Sequence, residues 1–158
     1  MADAPDFNDD FADLLGALNQ ASVEFIVVGA HALAVHGVVR ATGDLDVFVH
    51  STEENAQRIA AALRSFGASL AEHGVSEVDF TRDGTVYQLG LPPRRIDILT
   101  SISGVDFASA DTSAVDVEVN GVPFRVLGRR SLLDNKRASG RPKDLEDVRR
   151  LESIDSEE

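Results

Sequence analysis

The segment Asp44-Leu45-Asp46-Val47-Phe48-Val49 constrains the fold more than any other stretch of this chain. Strand side chains alternate between two faces, so as a strand it sends Asp44 and Asp46 to one side and Leu45, Val47 and Val49 to the other. The apolar side demands a core, and the two carboxylates repel one another unless a cation lies between them. Magnesium suits that role, because it takes hard oxygen ligands and is commonly held by one or two carboxylates together with substrate phosphates. Taken alone, an Asp-x-Asp at a strand start is more often a solvated edge or turn, so its neighbours decide its weight.

Upstream, Val23-Glu24-Phe25-Ile26-Val27-Val28 is a short β-branched apolar run ending at Gly29, and Ala30-His31-Ala32-Leu33-Ala34-Val35-His36 suits a helix. The expectation is strand, tight turn, helix. A glycine followed by a small residue lets backbone approach a ligand closely, and N–H groups at a helix start attract anions, so Gly29 and Ala30 are candidates for holding phosphate oxygens. Arg40 and Thr42 lie between this turn and the Asp pair, where they either order the loop or touch phosphate. A calcium loop is excluded: counted from Asp44, the sixth position is Val49 and the twelfth Asn55, where an EF-hand needs Gly and a bidentate Glu.

Downstream, Arg94-Arg95-Ile96-Asp97-Ile98-Leu99-Thr100 embeds one acid in an apolar strand. A buried Asp is costly unless it is paired or ligates a metal. Asp97 is therefore either the partner of Arg94 or Arg95, or the third member of a carboxylate cluster if its strand lies beside that of Asp44 and Asp46. In the second case it can hold the metal and take the proton of an attacking hydroxyl.

Together these residues resemble the nucleotidyltransferase superfamily of the DNA polymerase β type. Its signature is a Gly-Ser or Gly-Gly turn, an Asp-x-Asp or Asp-x-Glu on the next strand, and a third acid on a later strand. The matching positions are Gly29-Ala30, Asp44 with Asp46, and Asp97. The stretch from Val28 to Val49 and the tail from Ser131 to Leu151 are similar to the small stand-alone bacterial nucleotidyltransferases related to the AbiEii/AbiGii toxins; the tail reads Leu132-Leu133-Asp134-Asn135-Lys136, then Gly140-Arg141-Pro142-Lys143-Asp144-Leu145-Glu146-Asp147, against a family pattern of a helical Lys followed by Arg-x-Lys-Asp-x-x-Asp. Ala30 departs from the pattern, removing a hydroxyl and leaving backbone N–H contacts.

The resemblance implies an α/β (α+β) minimal nucleotidyltransferase fold, a mixed sheet with flanking helices and a short C-terminal helical pair. It implies an enzyme that transfers a nucleoside monophosphate from an NTP such as ATP to an acceptor hydroxyl. Asp44, Asp46 and Asp97 would be catalytic and hold Mg2+ in a two-metal site. Gly29, Ala30, Arg40, Thr42, Lys136, Arg141, Lys143 and Asp144 would bind nucleotide. The toxin-like relatives imply an RNA such as tRNA, or a protein, as acceptor, and an antitoxin protein as partner. The alternatives are an antibiotic nucleotidyltransferase of the aminoglycoside type and a non-catalytic nucleotide-binding or interaction module on the same fold.

Composition narrows the surroundings. The 158 residues suit a single domain, with a core over about 5–128, a helical extension over about 129–152 and an acidic tail over 153–158. With no cysteine, disulfides and thiolate metal sites are excluded. No apolar run approaches the ~20 residues of a membrane span and the N-terminus lacks a signal peptide's positive start, so a cytoplasmic, membrane-free protein is expected. The net charge of -12 argues against indiscriminate nucleic-acid binding. Residues 121–150, however, carry nine Lys or Arg against four Asp or Glu. Arg129, Arg130, Lys136, Arg137, Arg141 and Lys143 make either a local phosphate patch or, taken singly, a solvated helix face laced with ion pairs.

Periodicity supplies a coarse map. Phe7, Phe11, Leu14, Leu15 and Leu18 mark a first amphipathic helix, and a capping box at Ser51-Thr52-Glu53-Glu54 opens a helix ending near Gly67. Val78–Thr81 and Thr85–Leu89 are read as strands around an Asp83-Gly84 turn, and Val115–Val119 with Val122–Val126 as a hairpin around Asn120-Gly121. Helices are expected near Ser131–Ala138 and Lys143–Leu151. His31 and His36 are five apart and His50 and His73 isolated, so zinc is not expected, and all four histidines are read as surface or supporting residues. Neither a Gly-x-Ser-x-Gly elbow nor a Walker A loop is present.

Overall fold

A computed structural model describes residues 7–154, so the acidic tail Asp155–Glu158 and the first acidic residues lie outside the described part. Local sequence signals set most of the elements. Helix α1 (Asp9–Gln20) begins where the Asn8 side chain accepts the Phe11 N–H, and it buries Phe11, Leu14, Leu15 and Leu18 at helical spacing. Strand β1 (Phe25–Val28) is buried at every position, which is why it reads as continuously apolar rather than alternating. Helix α2 (Ala30–Val35) follows at once, and strand β2 (Asp44–Val49) then shows the expected alternation. Helix α3 (Glu53–Phe66) is capped by the Thr52 side chain and ends at Gly67 in the left-handed conformation, φ 108°.

The remaining elements are β3 (Val86–Leu89), β4 (Arg95–Leu99), α4 (Phe107–Ser113), β5 (Val115–Val119), β6 (Val122–Val126), α5 (Arg129–Ser139) and α6 (Pro142–Ile154). The strands form one sheet in the order β3-β4-β2-β1-β6-β5. Pairs β2/β4 and β1/β6 are parallel and the others antiparallel, so the sheet is mixed as expected. Helix α1 packs on α3, α5 on α6, and α2 on β1, β2 and β6. The ring of Phe48, on the same side of β2 as the carboxylates, meets Phe107 of α4 edge-on at 5.2 Å. Among the described residues no helix is long and apolar enough to cross a membrane.

Two expectations need correction. Residues Glu77–Thr81 form a 3-10 turn, not a strand: Phe80 alone is buried while Val78 is half exposed, and the Asp79 carboxylate accepts the Ser76 N–H at 2.9 Å to start the turn. Asp83-Gly84 therefore leads into β3, whose hairpin partner is β4, with Tyr87 opposite Ile98. Helix α4 was not expected. It is one short stretch opened by Asp106, whose carboxylate accepts the Ser109 N–H, and it buries Phe107 and Ala110, too little periodicity to read from sequence.

Asn55 ties the layers together. It is buried, its Oδ1 accepts the Glu24 N–H at 2.7 Å, and its Nδ2 donates to Glu24 O at 3.0 Å and His50 O at 2.8 Å, joining α3 to the start of β1 and the end of β2. Asn55→Ala would leave those backbone groups unsatisfied. It is expected to destabilise the protein by about 2–3 kcal/mol, read as a lower urea midpoint with an unchanged slope.

Candidate active site

The site grows from strand register. In the parallel β2/β4 pair Asp46 lies directly opposite Asp97 and Asp44 opposite Arg95, while in the antiparallel β1/β2 pair Asp46 is opposite Val28. All three carboxylates thus emerge on one face, each offering an oxygen within 4.8 Å of the other two. Sequence left Asp97 open between a pairing and a cluster. The structure has both, since Arg95 pairs with it inside the cluster, while Arg94 turns away to Asp10 at 3.2 Å.

Gly29 ends β1 beside Asp46 with φ 73° and ψ -149°. A Cβ there would collide with Asp46 Oδ2 and lie 3.2 Å from its Cγ, so only glycine fits both the backbone and the space. The turn predicted from Gly29-Ala30 brings backbone against the acidic cluster, and both residues line the cavity above it.

Three hydrogen bonds to carboxylates order the cluster. Thr42 Oγ1 donates to Asp44 Oδ1 at 2.6 Å, and Arg95 Nη2 donates to Asp44 Oδ2 at 2.7 Å and to Asp97 Oδ2 at 3.3 Å. Arg95 Nε lies 3.2 Å from Asp97 Oδ1, yet the pair is too poorly aligned to hydrogen-bond and both atoms are buried. Burial pushes the Asp46 carboxyl up to about 7, helped by the negative charges of Asp44 and Asp97. Burial also raises Asp97, against the opposing pull of Arg95. The charge of Asp97 and the bond to Asp44 hold the Arg95 guanidinium above its ordinary value. Three hard oxygen donors, one of them a buried atom lacking an aligned bond, fit a divalent cation such as Mg2+.

Much of the remaining lining of the cavity is cationic. The space, about 650 Å³, is lined by the carboxylate triad and by Arg40, Arg95, Lys136, Arg141 and Lys143, with Leu33 and Leu99 as apolar contributors. Two carboxylates with no exposed surface, Asp144 and Asp147, anchor Arg40, Lys136 and Arg141. Arg40 Nη1 donates to both oxygens of Asp147 at 2.8 Å. Lys136 Nζ lies 3.3 Å from Asp144 Oδ1 and 3.2 Å from Asp147 Oδ2, and Arg141 Nε donates to Asp144 Oδ2 at 2.7 Å. Burial raises the Asp144 carboxyl, but the bond from Arg141 and the charge of Lys136 outweigh it, leaving the group below its ordinary value.

Of the predicted site residues, Gly29, Ala30, Arg40, Thr42, Asp44, Asp46, Asp97, Lys136, Arg141 and Lys143 all line this one cavity. Asp144 sits behind it, gripping Lys136 and Arg141. Two residues were not singled out for the site. Arg95 stands two before Asp97 on one strand and shares its face; Asp147 stands three after Asp144 and shares its helix face. The other basic residues of the tail divide: Arg137 pairs with Glu152 and Arg130 with Asp134 on the surface. The histidines are supporting groups with one correction. His31 is buried, edge-on to Phe11 at 5.5 Å, because α2 turns it toward α1 rather than to solvent.

No protein-family model and no curated protein matches the chain. Solved structures do. A Thermotoga maritima protein described as a nucleotidyltransferase is 18% identical and superposes with a TM-score of 0.55 over 92% of this chain and 89% of that one. ANT(2")-Ia, in complex with adenylyl-2"-tobramycin, is 16% identical with a TM-score of 0.56 over 92% and 87%. An antigenic nucleotidyltransferase-like protein from Paracoccidioides brasiliensis is 13% identical with a TM-score of 0.50 over 90% and 72%. The chain has the nucleotidyltransferase fold.

Two measurements probe these charge clusters. Unfolded, Asp46 loses its proton near 3.8; folded and without metal, it keeps it to about 7, so the folded chain binds more protons between those values. Metal-free stability is therefore expected to fall as pH rises from about 4 to about 7 and then to level off. Asp46→Asn should flatten most of that slope, leaving the smaller part due to Asp97, and stabilise the metal-free protein above pH 7 by about 1–3 kcal/mol, measured by urea denaturation across the range. Asp147→Ala strands Arg40 and weakens the hold on Lys136, and is expected to cost about 3 kcal/mol or more in the same assay.

Proposed function

We propose that the protein is a metal-dependent nucleotidyltransferase that moves a nucleoside monophosphate from an NTP to an acceptor hydroxyl. One observation carries the reading: Asp44, Asp46 and Asp97 converge in a polar cavity that Arg40, Lys136, Arg141 and Lys143 also line. Carboxylates for the metal and cations for the phosphates in one cavity are what a metal-bound triphosphate requires.

In this reading Asp44, Asp46 and Asp97 hold Mg2+, in a two-ion site. The bound metal would neutralise phosphate charge and favour ionisation of the attacking hydroxyl. Gly29 and Ala30 bring backbone close to the triphosphate, the contact that a side chain at Gly29 would block. Lys136, Arg141 and Lys143 draw the phosphates, and Arg40, fixed by Asp147, holds that wall against the loop before β2. Thr42 keeps Asp44 turned inward. Asp97 accepts the acceptor's proton as its oxygen bonds to the α-phosphorus and pyrophosphate leaves. Asp144 acts through Lys136 and Arg141.

The cationic wall suits an anionic acceptor, which supports an RNA such as tRNA; a protein side chain is the other toxin-like substrate, and an antitoxin partner belongs to that reading. The overall charge of -12 and the likeness to ANT(2")-Ia favour a polycationic aminoglycoside as the second reading. A non-catalytic module is disfavoured, because Arg95 offsets only part of the charge of three clustered carboxylates, which burden a fold that places no metal ion among them.

Transfer of label from each α-labelled NTP with Mg2+ into RNA, protein and aminoglycoside tests the proposal. Label is expected in one acceptor class and is expected to fall by about 10³-fold or more in Asp44→Asn/Asp46→Asn, whose fold is checked by circular dichroism. Nucleotide binding with no transfer to any acceptor would select the non-catalytic module. For RNA, affinity should fall steeply with salt.

A further inference from the structure

Within the acidic cluster the compensating charge is Arg95. It lies opposite Asp44 in the β2/β4 register and two residues before Asp97 on one strand, so its side chain shares their face. Its guanidinium straddles two of the three candidate metal ligands and serves them unequally. Nη2 makes a short bond to Asp44 Oδ2, 2.7 Å, while its contacts to Asp97 are a long 3.3 Å bond and a misaligned 3.2 Å approach that leaves Nε and Oδ1 buried without a hydrogen bond. A side chain settled into a purely structural pairing would align with the buried acid. This one spans a gap.

The gap has the dimensions of a cation site, since the three carboxylate oxygens lie within 4.8 Å of one another. A divalent ion drawing on the Asp44 carboxylate would compete with the bond that Arg95 makes to it, and it would meet a positive charge. Arg95 has an exit: its side chain is 32% exposed and lines the cavity.

We propose that Arg95 is a built-in competitor for the divalent cation, holding Asp44 and Asp97 together in the metal-free protein and leaving Asp44 when the cation binds. The inference rests on the metal-site reading above. Its consequence is coupling. A guanidinium displaced from Asp44 remains in the cavity without its shortest carboxylate bond, and a triphosphate supplies the replacement, so cation and nucleotide each bind more tightly in the presence of the other. Arg95 is a positioning residue in this scheme.

The test is Mn2+ binding by titration calorimetry at pH 8.5 to wild type, Arg95→Gln, Arg95→Lys and Asp46→Asn. Removing a like charge from the site is expected to tighten Mn2+ binding by about tenfold or more in Arg95→Gln, with Arg95→Lys in between. Metal-free Arg95→Gln should also melt below wild type and gain more from Mn2+. If Arg95→Gln does not fold, Arg95→Lys carries the test, with tightening of about threefold expected. Mn2+ binding that depends on Asp46 but is unchanged or weakened in the Arg95 variants overturns the inference and leaves the metal site standing. No Asp46-dependent Mn2+ binding in wild type or in either Arg95 variant overturns both.

Discussion

The parallel pairing of β2 with β4 is the constraint on which the rest of the structure depends. By placing Asp46 against Asp97 and Asp44 against Arg95, it concentrates three negative charges and one positive charge on a partly covered face of the sheet. Such an arrangement opposes folding, and Asp46 records the opposition by holding its proton to about pH 7. The apolar residues between the acids offset it: Leu45, Val47, Ile96 and Ile98 are buried, so any shift of register by one residue would exchange core for carboxylate. Gly29 belongs to the same constraint, because the Asp46 side chain occupies the space a Cβ would need.

A second assembly of opposite sense closes the cavity. There the buried groups are acids, Asp144 and Asp147, and the groups that reach the cavity are cations. The loop before β2 belongs to both assemblies. Arg40 is bonded to Asp147, 107 residues away in sequence, and Thr42 to Asp44 two residues on. The position of α5 and α6 over the sheet is thereby linked to the orientation of a metal-ligand candidate, through fully buried carboxylates that tolerate little displacement.

Legibility in the sequence followed the range of the forces involved. Helix α3 was readable because its cap, its alanine-rich body and its terminal Gly67 are all local. The β5/β6 hairpin was readable because Asn120 and Gly121 take the positive φ values, 52° and 81°, that such a turn needs. Residues 77–81 were misread because over five residues a single buried Phe80 beside Val78 looks like strand alternation, and Asp83-Gly84 carries turn chemistry whichever strands it serves. Asp97 was visible as an acid among aliphatics, but its pairing with Arg95 rather than Arg94 was not, since the two are neighbours where the strand begins and only the direction of their side chains separates them.

By itself the sequence determined which side chains share a face, where the backbone must be glycine, and which acids are too apolar in context to be simple surface groups. These follow from strand and helix periods and from steric limits that act within a few residues. Only the tertiary structure decided that β4 lies beside β2 and parallel to it, that Arg95 enters the carboxylate cluster, and that Lys136 and Arg141 face the cavity from buried acids. Those contacts join residues far apart in the chain. Their geometry is set by which pairing buries the most apolar surface while leaving the least charge uncompensated, a balance that no local stretch contains.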